Sequence, residues 1–182
     1  MSLLQGLTVG ILVADGFEQI EMTKPQEALE HALAKTLIIS PKNKYVEGWH
    51  HMQKGDDFKV DVTLDDIDAS QIDALLLPGG VHNPDTLRLN PKAVALVQDI
   101  LAQQKPVAAI CHGPWLLIEA QVLKDKHVTS WASIKTDLMN AGANWQDKAT
   151  VEDGLILTSR QPDDITLFNE AMLKLFARQQ KD

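Results

Sequence analysis

Val107-Ala108-Ala109-Ile110-Cys111-His112-Gly113-Pro114 is the stretch on which the fold turns. Four small or branched apolar residues without polar alternation read as a short strand buried on both faces, as in a parallel sheet. Lys105-Pro106 releases the chain into this run, and Pro114 stands where a helix starts, with Leu116 to Ala120 continuing it. Between strand and helix, one reactive side chain sits in a tight turn followed by glycine. That is the grammar of a nucleophile elbow, whose logic does not require serine.

The same alternation extends outward on both sides. Leu7 to Ala14, closed by Asp15-Gly16, predicts a first buried strand, and Thr36 to Ser40, stopped by Pro41, a second. Between them Thr23-Lys24-Pro25-Gln26 is a capping-box pattern leading into Ala28, Leu29, Ala32 and Leu33 at helical spacing. Lys42 to Gly55 is polar and reads as a loop, followed by a peripheral β-excursion in which Phe58, Val60 and Val62 alternate with polar residues. Asp73-Ala74-Leu75-Leu76-Leu77, broken by Pro78-Gly79-Gly80, predicts a third buried strand, and Asn90-Pro91 predicts the start of a helix running to Gln104. Downstream, Val128 to Ser130 predicts a fifth strand and Ile134 to Ala141 a helix ended by Gly142. Asp153-Gly154 predicts a hairpin turn, and Ile165, Phe168, Met172, Leu175 and Phe176 mark one face of a last helix. Alternating strands and helices without a long linker or repeat predict one α/β domain over residues 1–182, with a mainly parallel sheet.

Composition narrows the function classes. The chain has 182 residues, 45% of them hydrophobic, and a single cysteine, so it can build a core without disulfides. Seventeen Lys plus Arg against twenty-five Asp plus Glu leave a net charge of -8, the wrong sign for gripping nucleic acid by counterion release. No run approaches the roughly 18 unbroken apolar residues of a membrane span. A lone reduced cysteine fits a cytoplasmic location, which is the expectation here.

In open α/β sheets ligands collect beyond the carboxyl ends of the strands. Three sharp turns fall there: Asp15-Gly16-Phe17-Glu18, Pro78-Gly79-Gly80 and Cys111-His112-Gly113-Pro114. A free cysteine is more often a core residue than a nucleophile, but its place after a buried strand, between two other glycine turns, reverses those odds. An ordinary thiol with a pKa near 8.5 is only about 3% thiolate at pH 7. A helix N-terminus and a neighbouring imidazolium are expected to lower that value at Cys111. Backbone N–H groups of Gly79, Gly80 and His112 are the expected oxyanion donors. His50-His51 completes no ligand spacing, so neither a metal nor another cofactor is expected. The acids Asp56-Asp57, Asp61, Asp65-Asp66 and Asp68 follow no calcium-loop register and read as a solvated edge. Trp115 and Trp131 are candidates for walling the pocket.

These turns, together with Leu77-Pro78-Gly79-Gly80, Ala109-Ile110-Cys111-His112-Gly113-Pro114, Thr129-Ser130-Trp131, Asn140-Ala141-Gly142-Ala143 and Thr158-Ser159-Arg160, resemble the ThiJ/PfpI family of the class I glutamine amidotransferase-like superfamily. The resemblance covers nearly the whole chain and is strongest to the PfpI intracellular protease/amidase branch, which includes general stress proteins and protein deglycases. It implies a flavodoxin-like, three-layer α/β/α sandwich. It also implies that Cys111 is the nucleophile and His112 its partner, with Asp85 of a neighbouring subunit orienting the histidine in a homodimer or homohexamer. A glutamate of the first turn, matched to Glu18, would touch the sulfur, and two anions there would repel, so Glu18 is expected to hold a proton. The implied substrates are a small carbonyl compound such as methylglyoxal or glyoxal, a peptide, or a glycated protein. An alternative is a redox-sensing or chaperone-like stress protein whose Cys111 is reversibly oxidised without dedicated turnover. A glutamine amidotransferase is disfavoured, because the histidine that follows His112 is His127 and no late His-x-Glu pair completes that triad.

Overall fold

Short apolar runs become the strands of the main sheet, and proline, which cannot donate to a ladder, stops or precedes three of them at Pro41, Pro78 and Pro106. The computed structural model describes residues 3–180. In chain order the elements are β1 (Thr8–Leu12), β2 (Phe17–Glu18), α1 (Gln19–His31), β3 (Lys35–Ser40), β4 (Tyr45–His50), β5 (Gln53–Lys59) and β6 (Val62–Thr63). They continue with β7 (Ala74–Leu77), α2 (His82–Arg88), α3 (Pro91–Ala102), β8 (Val107–Ile110) and α4 (Pro114–Glu119). The last are β9 (His127–Val128), α5 (Lys135–Asn140), β10 (Asn144–Trp145), β11 (Thr150–Asp153), β12 (Ile156–Ser159) and α6 (Ile165–Ala177).

Among the described residues the main sheet has seven strands in the order β11-β12-β8-β7-β1-β3-β6. Its neighbours are parallel except for the β11–β12 hairpin, which turns at the expected Asp153-Gly154 with Gly154 at φ +64°. The inner order β12-β8-β7-β1-β3 is the flavodoxin-like one, and its switch point lies between β1 and β7. Successive residues of β1 face opposite layers. Ile11 joins Leu76 and Ile110 against Met22 and Leu29 of α1 and Phe168, Met172 and Phe176 of α6. Leu12 joins Leu75 and Ala109 against Val97 and Ile100 of α3 and Leu116 and Leu117 of α4. The result is a three-layer α/β/α sandwich. Asn90 caps α3 as expected, its side chain accepting from Lys92 N at 2.9 Å and Ala93 N at 3.3 Å.

Four expectations change. The first helix begins at Gln19, a turn before the Thr23 capping pattern, so Pro25 falls inside it and leaves the Glu21 carbonyl without its usual N–H donor. Lys42 to Gly55 holds strand rather than loop: β4 and β5 form a hairpin that joins β2 in a three-stranded sheet. Val46 and Gly48 face inward there, an alternation hidden by the polar residues between them. Val128 does not enter the main sheet; β9 pairs with β10. The place beside β8 is taken by β12, whose Thr158 hydroxyl accepts the Thr129 N–H at 2.8 Å. The acids after Gly55 are also engaged, since Asp56 pairs with Gln19 and Asp61 accepts the Ile38 N–H at 2.8 Å.

Candidate active site

The three turns converge at the carboxyl edge of β1, β7 and β8. Asn83, fully buried, ties two of them together: its side-chain oxygen accepts from Ala14 N at 2.7 Å, and its amide nitrogen donates to Pro78 O at 2.9 Å and Gly79 O at 3.1 Å. Gly80 has φ +78°, and a Cβ there would lie 2.5 Å from Gly16 O and 2.6 Å from Glu18 N. Only glycine lets the first two turns approach this closely.

Cys111 sits at φ +64°, in the left-handed region that costs a non-glycine residue roughly 1–2 kcal/mol. Its own backbone holds it there. Cys111 N donates to Ser159 O at 3.0 Å, Trp131 N donates to Cys111 O at 3.0 Å, and Gly113 N donates to Ile110 O at 2.9 Å. The elbow read from the sequence is therefore present, with its sulfur in a cavity of about 380 Å³ and only 7% of the residue exposed.

His112 Nδ1 lies 3.2 Å from Cys111 Sγ, and Nε2 lies 3.3 Å from Ser133 Oγ. A neutral ring that donates its Nε2–H to Ser133 keeps the Nδ1 lone pair toward the thiol. Trp115 meets the ring edge-on at 5.2 Å and Trp131 lies nearly parallel to it at 6.2 Å, so its orientation is fixed by packing as well. Burial lowers the imidazole below its ordinary value, which keeps it unprotonated at neutral pH. Of the two tryptophans expected at the pocket, Trp131 lines the cavity, while Trp115 backs His112 and donates to Asp137 at 2.9 Å.

Glu21, not Glu18, is the carboxyl whose charge and position bear on the Cys111 thiol. It is fully buried in the first turn of α1. Its Oε2 accepts the Gly79 N–H at 2.9 Å, and Oε1 meets no hydrogen-bond partner among the described residues. Burial pushes its carboxyl up to about 8, against the lowering effect of its hydrogen bonds. At neutral pH the group holds a proton, and Oε1 is the oxygen left to carry it. The proton expected on Glu18 is thus placed on a residue three positions later. Because the helix begins at Gln19, Glu21 points from its first turn toward the sulfur, whereas Glu18 ends β2 and lines the wall of the same cavity. Its Oε2 accepts the His51 N–H at 3.0 Å at the tip of the β4–β5 hairpin.

The thiol also departs from expectation. Burial and the charge of Glu21 push Cys111 above its ordinary value, while the N–H groups of Gly80 and His112 directed at the sulfur pull the other way. Helix α4 has only six residues, too few for a strong N-terminal field to win. Gly79 is corrected too. Its N–H is spent on Glu21, and a Cβ there would meet Glu21 Oε2, Cys111 Cβ and Ile110 O, so it serves close approach rather than an oxyanion. Asp85 is exposed on α2, and no hydrogen bond joins it to His112 among the described residues; within one chain Ser133 occupies that place. Among the described residues, no group of three or more His, Cys, Asp or Glu could hold a metal ion.

Known proteins resemble this chain over most of its length. The sequence profile of the DJ-1/PfpI family matches residues 7–175. The putative cysteine protease YraA of Bacillus subtilis (strain 168) is 43% identical over 168 residues, covering 92% of this chain and 96% of that protein. Deglycase TK1284 of Thermococcus kodakarensis is 40% identical over 169 residues, 93% of this chain and 99% of that one. Among solved structures, a two-domain protein of Anabaena variabilis with DJ-1/ThiJ/PfpI-like and ferritin-like domains superposes with a TM-score of 0.86 at 37% identity. It covers 92% of this chain, which spans 47% of that longer protein.

Proposed function

The chain belongs to the DJ-1/PfpI family, and on that premise we propose that it is a cysteine-dependent hydrolase of the PfpI type in which Cys111 attacks a carbonyl carbon. One observation carries the reading: a strained cysteine faces a cavity with a neutral imidazole nitrogen 3.2 Å from its sulfur. A thiol raised by burial is not a standing thiolate, so the proton leaves as the bond forms. His112 Nδ1 takes it while Sγ bonds to the carbonyl carbon and the C=O electron pair moves onto oxygen. The N–H groups of Gly80 and His112 are the donors nearest that charge. With a peptide amide, His112 returns the proton to the departing amine and leaves a thioester. Water then adds, giving its proton to His112, and the C–S bond breaks to restore the thiol. With a dicarbonyl, the same attack gives a hemithioacetal. Protonated Glu21 adds no second negative charge beside the sulfur while its proton is in transit.

The substrate is a peptide, a small dicarbonyl or the adduct such a compound leaves on protein. A second reading, reversible oxidation of Cys111 without turnover, draws on the same buried carboxyl, which can donate to a sulfur oxyacid. Incubation with methylglyoxal, a glycated peptide and casein, with Cys111→Ser as control, separates the two. Multiple turnovers with unchanged protein mass are expected. No turnover, together with stable addition of oxygen at Cys111, would replace the hydrolase by the sensor.

A further inference from the structure

The cavity at Cys111 is joined by a second of about 340 Å³, which shares Glu18, His51 and Pro162 with it. The second cavity adds walls from Ile20 and Thr23 of α1 and from His50. Neither cavity is lined by a lysine or arginine among the described residues, and the carboxylate of Glu18 stands on the wall between them. Glu18 Oε2 already accepts the His51 N–H, but a carboxylate has about four lone-pair sites and can accept further donors. Ile20 and Pro162 offer apolar surface beside that acceptor. An apolar stem ending in a cation is the side chain that matches such a lining.

We propose that the second cavity is an outer subsite that receives a basic side chain, ammonium or guanidinium, from a residue flanking the reacting one in a peptide substrate. The proposal rests on the thiol-hydrolase reading of the inner cavity and deepens it. The inner cavity alone falls within the roughly 300–1,000 Å³ that encloses a drug-sized ligand, far more than a three-carbon dicarbonyl fills. Two adjoining cavities therefore suit an elongated ligand whose reactive group sits at Cys111 and whose neighbouring side chain reaches past Glu18.

The test is binding, which does not require turnover. Dansyl-labelled tetrapeptides that differ only in arginine or its neutral isostere citrulline are titrated against the full-length Cys111→Ser protein. The arginine peptide is expected to bind about fivefold tighter, the size of a partly exposed ion pair. Glu18→Gln should bring the two affinities together, and Thr23→Arg, which places a cation in the subsite, should reverse their order. Ile20→Lys, at a position 39% exposed, makes the same test should Thr23→Arg fail to fold. Equal affinities in the Cys111→Ser protein, or a preference untouched by the charge-inserting variant, would overturn the subsite. A charge preference in a protein that turns over no carbonyl would uphold the subsite and reject the hydrolase. Turnover without a preference would do the opposite.

Discussion

In the proposed mechanism Glu21 and His112 together set the pH range in which Cys111 reacts. The Glu21 carboxyl is protonated below about 8 and ionised above it, while His112 is neutral above a value that burial holds below the ordinary imidazole range. Both conditions for attack, a neutral base and a neutral carboxyl, coincide near neutrality. kcat/KM should rise as His112 loses its proton on the acid side and fall as Glu21 ionises near pH 8. Glu21→Gln keeps an oxygen toward Gly79 but cannot ionise, so the alkaline fall should vanish, whereas Glu21→Ala should lower activity at every pH. Stability follows the same residue with a defined sign. The folded carboxyl binds its proton more tightly than the unfolded one, ordinarily near 4.5, so its contribution is complete below that value and is lost as pH rises toward about 8. Thermal scans should show Glu21→Gln gaining on the parent protein between pH 5 and pH 8. Gly79→Ala tests the packing behind this arrangement. Its Cβ would stand 2.7 Å from Cys111 Cβ, so a stability loss of roughly 1–3 kcal/mol should accompany loss of activity. The cysteine, the histidine and the two glycine turns were legible in the sequence because each interrupts an apolar run. Glu21 was not, because two glutamates three residues apart could be told apart only by where the helix begins.

At the scale of elements, the site rests on a strained turn and a pinned hairpin. Cys111 holds a left-handed conformation that glycine adopts freely, so Cys111→Gly should unfold at a higher temperature than Cys111→Ala, against the usual order in regular structure. The opposite order would mean that the elbow stores no strain. The β4–β5 hairpin is held by three consecutive residues of β2 and α1. Phe17 packs on Phe58 at 5.6 Å, Glu18 accepts from His51, and the buried Gln19 amide exchanges two hydrogen bonds with Asp56, at 2.6 and 2.8 Å. Gln19→Ala should cost roughly 1–3 kcal/mol and raise hydrogen exchange at β4 and β5 before the main sheet is affected. Main-sheet strands could be read because burial on both faces leaves unbroken apolar runs. The hairpin could not, since it buries one face of a polar stretch, and its anchors on β2 and α1 are distant in sequence.

At the scale of the molecule, the reacting groups come from turns after β1, β7 and β8, which meet only when the sheet is complete. Asp85 is exposed on α2 and makes no hydrogen bond to His112 in its own chain, so the proposed action on the histidine requires a second copy. Dilution to monomer should then lower turnover and Asp85→Ala should mimic dilution, while a fully active monomer would leave Ser133 as the partner that orients the ring. One α/β domain with a mainly parallel sheet was legible from alternation alone, while the three layers were implied by the family resemblance. Assembly was not, because an exposed aspartate on a short helix looks the same whether it faces water or a neighbour. In the proposed reaction Cys111 forms a covalent intermediate that it then releases. Acid-quenched intact mass during turnover of an activated acyl ester, with peptide mapping, tests this directly. An acyl group on Cys111 should rise and decay as product forms. Product formed with Cys111 never acylated, or an acyl group that persists without release, would contradict it.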